Sequence, residues 1–216
     1  MLALFAVLGA GCSERRDAAL VDRVLPVQTE LPGNWGGQQD DYITGQDGSP
    51  SDDTDTAACH ELDPFHEDQG DRSARRRIFR SNDVAGLQVG FLSEVVPEGW
   101  SAARGAKWVA DYYRSAAFGR CFADDASASA NERYVAETPV SPSITQTGVE
   151  GVAWLYELEG EATVLRQEIY VWYIDRLVLS VIMFVPDGEV EPDVVKGLIE
   201  AFQHRSASEL ARNSGP

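Results

Sequence analysis

The sequence has no apolar run long enough to cross a bilayer, which requires about 20 consecutive apolar residues in a helix. The stretch Met1–Gly11 is apolar without a break, but it is only about half that length. Small residues that run up to a cysteine are typical of the end of a signal peptide. We therefore predict a signal peptide over residues 1–11 and no membrane-spanning helix.

Histidine is scarce, with only three residues in the chain. His60, His66 and His204 are peripheral in the sequence, and the chain contains neither a Gly-x-Ser-x-Gly motif nor a glycine-rich phosphate loop. Cys59, His60 and His66 have the residue types of a metal site, but Pro64 prevents one helix from presenting both histidines. The sequence therefore predicts a protein that is not an enzyme and that uses no cofactor or metal.

Positive charge is also scarce, since 18 Lys and Arg side chains stand against 35 Asp and Glu side chains. The formal net charge of -17 argues against nucleic acid as a partner, because the phosphate backbone would be repelled. It also argues against adhesion to an anionic membrane through a basic patch. The one basic cluster, Arg75–Arg77, is expected to form a solvated strand face or to pair with the acidic residues before it.

Cysteine occurs three times, an odd number for a secreted protein that uses it only in disulfides. Leu8–Cys12 resembles a bacterial lipoprotein signal, in which the cysteine is lipidated and becomes the new amino terminus. That leaves Cys59 and Cys121 as a pair, which we expect to be bridged in an oxidising envelope. A closed loop of about sixty residues would stabilise the fold by roughly 4 kcal/mol. The alternatives are a plain secreted protein and two buried free thiols.

Composition changes sharply along the chain, which predicts its domain organisation. Asp, Glu, Gly, Ser and Thr dominate Gln38–Asp71, which cannot bury enough apolar surface to offset the entropy of ordering. We predict a tether over residues 12–58 that includes a disordered acidic spacer, Gln38–Ala57. The folded domain is expected over residues 59–205, followed by a polar, fraying tail over residues 206–216. A short helix is expected around Asp17–Val24, and Trp35 should fill a groove on its own domain.

The carboxyl-terminal half carries the strongest signals for secondary structure. Alternating and β-branched residues predict three antiparallel strands joined by tight turns, Val149–Glu159, Thr163–Ile174 and Leu177–Val185. Further strands are expected over Gly86–Val96 and Arg133–Glu137, and loops over Asp124–Asn131 and Thr138–Thr147. Two helices, Ala102–Phe118 (ended by Gly119) and Glu191–His204, have their apolar residues on one side. This order predicts an α+β fold, an antiparallel sheet with two helices packed on one face.

Aromatic residues crowd two neighbouring strands of the predicted sheet. Their alternation predicts that Trp154 and Tyr156 share a face with Glu168 and with further residues of its strand. Aromatic rings beside polar groups on a concave sheet suit a lipid, glycan or peptide ligand. If the helices cover this face, the same rings are ordinary core. The predicted ligand-binding residues are Trp154, Tyr156, Arg166, Tyr170 and Trp172.

Several features follow one another in a familiar order: Cys12, the turn Leu31–Trp35, a cysteine before the domain, and Phe118–Phe122 around the last cysteine. Over about Leu31–Arg205 they resemble actinobacterial envelope lipoproteins related to the extracellular sensor domain of some mycobacterial serine/threonine kinases. The resemblance implies an α/β-sandwich with a ligand-binding cleft and no catalytic residues. That family commonly has a second disulfide, which this chain cannot form.

The chain is also similar to PsbP/Mog1-like lipoproteins of actinobacteria, in which binding of other proteins is the usual role. The expected function is therefore that of a non-enzymatic lipoprotein, anchored on the extracytoplasmic face of the cell membrane, that binds a ligand. The alternative is an adaptor that binds another envelope protein.

Overall fold

The structure, a computed structural model, describes residues 17–44, 73–96, 99–130, 134–158, 164–186 and 191–213. Within these ranges the chain forms a seven-stranded antiparallel sheet and four α-helices. The predicted α+β class and antiparallel sheet are therefore confirmed.

The helices and strands follow one another in a simple order. Helix α1 covers residues 17–24 and is followed by a short 3-10 helix, Gln28–Glu30. The strands are β1 (Trp35–Thr44), β2 (Ser73–Ser81), β3 (Gln88–Val95), β4 (Tyr134–Val140), β5 (Glu150–Leu158), β6 (Val164–Ile174) and β7 (Leu177–Pro186). The remaining helices are α2 (Ala102–Arg114), α3 (Ala116–Ala130) and α4 (Pro192–Asn213).

The sheet consists of two meanders that meet at its centre. Its strand order is β1-β2-β3-β7-β6-β5-β4, and every neighbouring pair is antiparallel. The three strands predicted within Val149–Val185 are confirmed as β5, β6 and β7. A two-residue turn joins β6 to β7, and its first residue, Asp175, has a positive φ of 54°.

Helices cover both faces of the sheet. On one face, called the α2/α3 face, the helices α2 and α3 pack on alternate strand residues such as Ile169 and Val171. On the opposite α1/α4 face, Trp172 packs edge-on against Phe202 of α4, with ring centroids 5.2 Å apart. Two helices do share a face, but they are α2 and α3. The prediction that the final helix joins the first on that face is wrong, because α4 covers the other side.

The predicted first helix is in fact two helices. Ser115 has an extended backbone that ends α2, and its Oγ accepts a hydrogen bond at 3.1 Å from the backbone N–H three residues later. Gly119 lies inside α3, where an added Cβ would be 2.7 Å from Cζ3 of Trp154. Glycine is used here for close approach to the sheet, and the prediction that it ends a helix is wrong. The predicted loop Asp124–Asn131 is also wrong, because α3 continues to Ala130.

The amino-terminal region belongs to the folded domain. The predicted helix around Asp17–Val24 is confirmed as α1, and Val21, Val24 and Leu25 are at most 1% exposed in the core of the α1/α4 face. Strand β1 pairs with β2 over most of its length, so the predicted tether and spacer are wrong for residues 17–44. The rest of the spacer lies outside the described residues.

Two other predictions about individual segments are decided by burial. Trp35 is 3% exposed and donates from Nε1 to the Pro32 carbonyl at 2.6 Å, so its role within its own domain is confirmed. The predicted fraying tail is wrong over its described part, because α4 continues to Asn213. Ser206 is completely buried in that helix and donates to the Phe202 carbonyl at 2.6 Å.

Several predicted features fall outside the described residues. Cys121, in α3, is disulfide-bonded, whereas the pairing with Cys59 remains a prediction. Within the described ranges, no helix has the length and hydropathy of a membrane span. The same ranges contain no cluster of His, Cys, Asp and Glu side chains that could hold a metal ion. The features outside the described residues are the signal peptide 1–11, Cys12, Cys59, His60 and His66.

Candidate functional site

The predicted ligand-binding residues do not share one face of the sheet. In the β5–β6 pair, Trp154 lies opposite Gln167, and Tyr156 lies opposite Leu165. Directly opposed residues of an antiparallel pair project to the same side, so the even-numbered residues of β5 share a face with the odd-numbered residues of β6. The prediction of one shared face is wrong. Trp154 and Tyr156 lie on the α2/α3 face, and Arg166, Glu168, Tyr170 and Trp172 lie on the α1/α4 face.

The four aromatic residues of the predicted site are core residues. None is more than 5% exposed. Trp154 donates from Nε1 to the Tyr113 carbonyl at 2.8 Å, and the Tyr156 hydroxyl donates to Oε1 of Gln167 at 3.1 Å. Burial raises the pKa of Tyr156. These rings therefore belong to the hydrophobic cores on the two faces of the sheet. This agrees with the alternative interpretation of the sequence, in which helices cover the rings and make them ordinary core residues.

Two of the predicted residues, Arg166 and Tyr170, do meet around a buried carboxylate. Glu168 is completely buried on β6, and its Oε1 accepts from Nε of Arg166 and from Oγ of Ser143, each at 2.5 Å. The backbone N–H of Ser143 donates to the same oxygen at 3.2 Å, and the Tyr170 hydroxyl donates to Oε2 at 2.5 Å. These four residues form the Glu168 network. Its charge-assisted hydrogen bonds compensate the cost of burying a carboxylate.

The Glu168 network also fixes the protonation of Tyr170. Burial raises the pKa of the Tyr170 hydroxyl, and the Glu168 carboxylate raises it further by accepting its hydrogen bond and by its charge. The Arg166 charge and a backbone hydrogen bond from Ile144 lower the pKa of this hydroxyl, but by less than the other effects raise it. Tyr170 therefore remains a hydrogen-bond donor throughout the neutral pH range.

A cavity of about 520 Å³ adjoins the Glu168 network. In the sequence, Ser143 of the network lies between Pro142 and Ile144, which both line the cavity. Gly151, another lining residue, is close to the network, because an added Cβ there would be 3.4 Å from Cε1 of Tyr170. The network therefore supports the loop that lines this open cavity. The lining residues are Pro142, Ile144, Thr145, Gln146, Thr147, Val149, Glu150 and Gly151, which belong to the β4–β5 loop and the start of β5.

The β4–β5 loop is fixed at several points. Nη2 of Arg166 donates to the Ser141 carbonyl at 2.6 Å, and Nε2 of Gln146 donates to Oε1 of Gln203 on α4 at 3.2 Å. The other amide atom of Gln146, Oε1, is buried and has no hydrogen-bond partner among the described residues. An unsatisfied buried acceptor costs about 1–3 kcal/mol.

The basic cluster serves the fold. Arg75 and Arg77 are each 7% exposed on the α1/α4 face, where both pair with Asp22 of α1 and Asp40 of β1. The N–O distances range from 2.6 to 3.6 Å. The expected pairing with acidic residues is confirmed for Asp40, which belongs to the predicted acidic segment. These ion pairs, in which the arginines are buried and the carboxylates are partly exposed, attach α1 and β1 to β2.

A row of partly or fully exposed side chains, spaced four residues apart, begins just before α2 and continues along it. Trp100, Arg104, Trp108 and Tyr112 form this α2 row. The Arg104 guanidinium lies 4.0 Å from the ring centroid of Trp100, and the rings of Trp108 and Tyr112 are stacked 6.4 Å apart. Aromatic and arginine side chains are enriched at the centres of protein interfaces, so this row is a second surface of functional interest.

Sequence reasoning did not find Ser143, Gln146 or the cavity, because the β4–β5 loop has no motif and its composition is ordinary. One signal was present. Glu168 interrupts an apolar strand, and a charged residue in such a position is almost always paired when it is buried. The partner of Glu168 could not be read from the same signal, since Ser143 is 25 residues away in the chain.

Comparison with known proteins gives no family for this chain. No protein-family model matches the sequence, and no curated protein matches it either. The resemblance to actinobacterial envelope lipoproteins therefore remains an expectation from the sequence.

Proposed function

We propose that this protein is a non-enzymatic lipoprotein of the cell envelope, anchored through Cys12, whose α+β domain binds a ligand in the cavity of the β4–β5 loop. The observation that carries the proposal is the cavity itself, supported by a buried and fully hydrogen-bonded carboxylate at Glu168. A wall fixed in this way loses little conformational entropy on binding, which favours affinity.

The lining favours a polar ligand such as a glycan or a peptide. Thr145, Gln146 and Thr147 supply hydroxyl and amide groups, while Pro142 and Ile144 supply apolar surface for a sugar ring or a methyl group. The lining residues include no aromatic ring, and only Pro142, Ile144 and Val149 have apolar side chains, which is little surface for an acyl chain. The cavity thus replaces the aromatic sheet face as the predicted binding site.

Ligand binding can be tested with two small probes, N-acetylglucosamine and the dipeptide Ala-Ala, which represent the two ligand classes. Each is titrated to millimolar concentration into the ¹⁵N-labelled protein while backbone amide shifts are followed. We expect one probe to shift the amides of residues 143–151 selectively. Gln146→Leu, which replaces a polar residue of the cavity lining, should weaken binding about tenfold, an energy typical of one hydrogen bond.

Gln39→Leu is the matched control, because it makes the same change at an exposed position on β1. It should bind the probe as the parent protein does. If neither probe shifts the amides of residues 143–151, or if both variants weaken binding equally, the cavity is not the binding site and the proposal fails.

The α2 row favours the second candidate function, an adaptor that binds another envelope protein. Trp and Arg are the residue types that carry most of the binding energy at protein interfaces. Under this alternative, Trp108→Ala should abolish capture of one specific protein from envelope extracts, whereas Lys107→Ala on the exposed neighbouring position should retain it. Equal capture by both variants would contradict the adaptor hypothesis.

A further inference from the structure

The distance between the proposed lipid anchor and the folded domain is limited by covalent geometry. Cys12 and Asp17, the first described residue of α1, are five positions apart. An extended chain spans at most about 3.6 Å per residue, so these two residues are no more than roughly 18 Å apart. A lipid on Cys12 would therefore hold the start of α1 close to the membrane surface.

Helix α1 is firmly attached to the rest of the domain. Its Val21 carbonyl accepts a hydrogen bond from the buried Ser93 hydroxyl at 2.6 Å, and its apolar residues lie in the core of the α1/α4 face. At its start, Asp17 pairs with Arg176 in the turn between β6 and β7. The chain from Cys12 therefore enters the folded domain at one defined end of the sheet.

That end of the sheet, called the turn end, can be mapped from strand register. Val95 at the end of β3 and Ile174 at the end of β6 both pair with Leu177, the first residue of β7. Strand β5 begins at the same end, since Glu150 lies opposite Val171. The β4–β5 loop and its cavity are therefore also at the turn end.

We propose that the turn end is the membrane-facing surface of the domain, so that the cavity lies at the end of the sheet nearest the bilayer. This inference rests on the lipid anchor of the proposed function and adds the orientation of the bound domain. It implies that the ligand is a polar group presented at the membrane surface, such as the glycan or peptide portion of an envelope component.

The side chains at the turn end fit an interfacial position. Tyr173 is 52% exposed one residue before the end of β6, and partly exposed Trp100 stacks with Arg104 beside the start of α2. Tyr and Trp are enriched where protein meets the headgroup region of a bilayer. Asp17 and Arg176 compensate each other's charge, so this pair presents no net charge to the lipid.

The opposite end of the sheet offers a matched reference position. Val84 lies in the connection between β2 and β3 and is 46% exposed, close to the exposure of Tyr173. The eight residues of β3 separate the two ends by about 26 Å at about 3.3 Å per residue. A short-range probe of the bilayer will therefore distinguish them.

Orientation can be measured with Tyr173→Cys and Val84→Cys in the lipidated full-length protein. With Cys12 acylated and the other two cysteines bridged, the introduced residue supplies the free thiol for a bimane fluorophore. The labelled proteins are reconstituted in phosphatidylcholine vesicles with and without a nitroxide headgroup lipid as quencher. Zwitterionic lipid is chosen because the net charge of -17 would be repelled by an anionic surface. We expect at least threefold stronger quenching at position 173 than at position 84.

A second pair, Ala103→Cys and Ala85→Cys, repeats the comparison with smaller changes at exposed positions of the same two ends. Equal quenching at both ends, or stronger quenching at positions 84 and 85, would overturn the proposed orientation while the anchor stands. An intact mass without a lipid adduct on Cys12 would instead show that the anchor itself is wrong, and the orientation falls with it.

Discussion

Arg77 donates from Nε to Oδ1 of Asp40 at 2.6 Å across the β1–β2 pair, although the two residues are 37 positions apart. Nη1 of the same guanidinium donates to the carbonyls of Leu25 and Pro26, each at 3.3 Å, and Nη2 pairs with Asp22. One buried arginine thus joins the end of α1, the edge strand β1 and strand β2. The charge of Asp40 therefore contributes to the attachment of residues 17–44 to β2.

This relationship predicts that acid weakens the fold through Asp40. Burial alone would raise the pKa of its carboxyl, but the hydrogen bond and charge of Arg77, with help from Gln38 and Arg75, hold the pKa below its usual range. A lowered folded-state pKa stabilises the protein above the unfolded value of about 3.9, and this stabilisation is lost as pH falls through the folded value. Asp40→Asn should therefore lower the free energy of unfolding at pH 7 and reduce its loss between about pH 5 and pH 2, both measured by urea denaturation.

The control for Asp40 is Glu200→Gln, which removes an exposed carboxylate from a long surface pair with Lys196 on α4. A surface pair of this kind contributes at most about 0.5 kcal/mol, so we expect little change at either pH. If the two variants lose equal stability and keep the same pH dependence, Asp40 does not stabilise the fold in the way described.

The same pair shows where sequence reasoning about the fold succeeded and failed. Alternation and turn residues correctly predicted β5, β6 and β7, because each strand carries its own signal. The acidic composition around Asp40 predicted a spacer, since nothing near it shows that Arg77 compensates its charge. Pairing over 37 positions is a tertiary property, and local composition cannot supply it.

For the candidate site, the sequence supplied residues but not their arrangement. Alternation correctly placed Arg166, Glu168 and Tyr170 together on one face of β6. It wrongly placed Trp154 on that face too. The sequence shows which residues of one strand share a face, whereas the register between two strands is set by the turn and the core. A loop cavity such as that around Gln146 depends on packing and left no trace in the sequence.

Gly119→Ala should destabilise the protein even though alanine is the better helix former. Helix propensity alone predicts a gain of up to about 1 kcal/mol. The added Cβ would, however, lie 2.7 to 3.0 Å from three carbon atoms of the buried Trp154 ring, and overpacking typically costs about 1–3 kcal/mol. We expect a net loss of about 1 kcal/mol in urea denaturation with the Cys121 disulfide intact. Arg120→Ala, at the exposed neighbouring position, should change stability by less than about 0.5 kcal/mol. A more stable Gly119→Ala variant would show that α3 can move away from the sheet.

Tyr156 and Tyr170 should remain protonated until the protein unfolds at alkaline pH. Burial raises the pKa of both hydroxyls, and the Glu168 carboxylate adds to the effect at Tyr170. A raised folded-state pKa leaves stability complete below the unfolded value of about 10 and reduces it above that pH. Phenolate absorbance should therefore rise in a final step that coincides with the loss of circular dichroism, and Tyr170→Phe should make that step smaller. Complete ionisation of all seven tyrosines before any change in circular dichroism would contradict this prediction.

Glu168→Gln should be the most damaging of these substitutions, because it removes a negative charge that three side chains and one backbone N–H are arranged to contact. The neutral amide would direct an N–H group toward donors and leave Arg166 without its carboxylate, only 15% of the Arg166 side chain being exposed. Breaking a buried ion pair in this way costs about 3–5 kcal/mol. Glu157→Gln makes the same change at an exposed position on β5 and should be nearly neutral. Because Ser143 would lose its partner, amide exchange in the β4–β5 loop should also accelerate in Glu168→Gln, as followed by hydrogen exchange. Unchanged exchange in that loop, with a loss of stability spread over the whole domain, would mean that the Glu168 network stabilises the core without fixing the cavity wall.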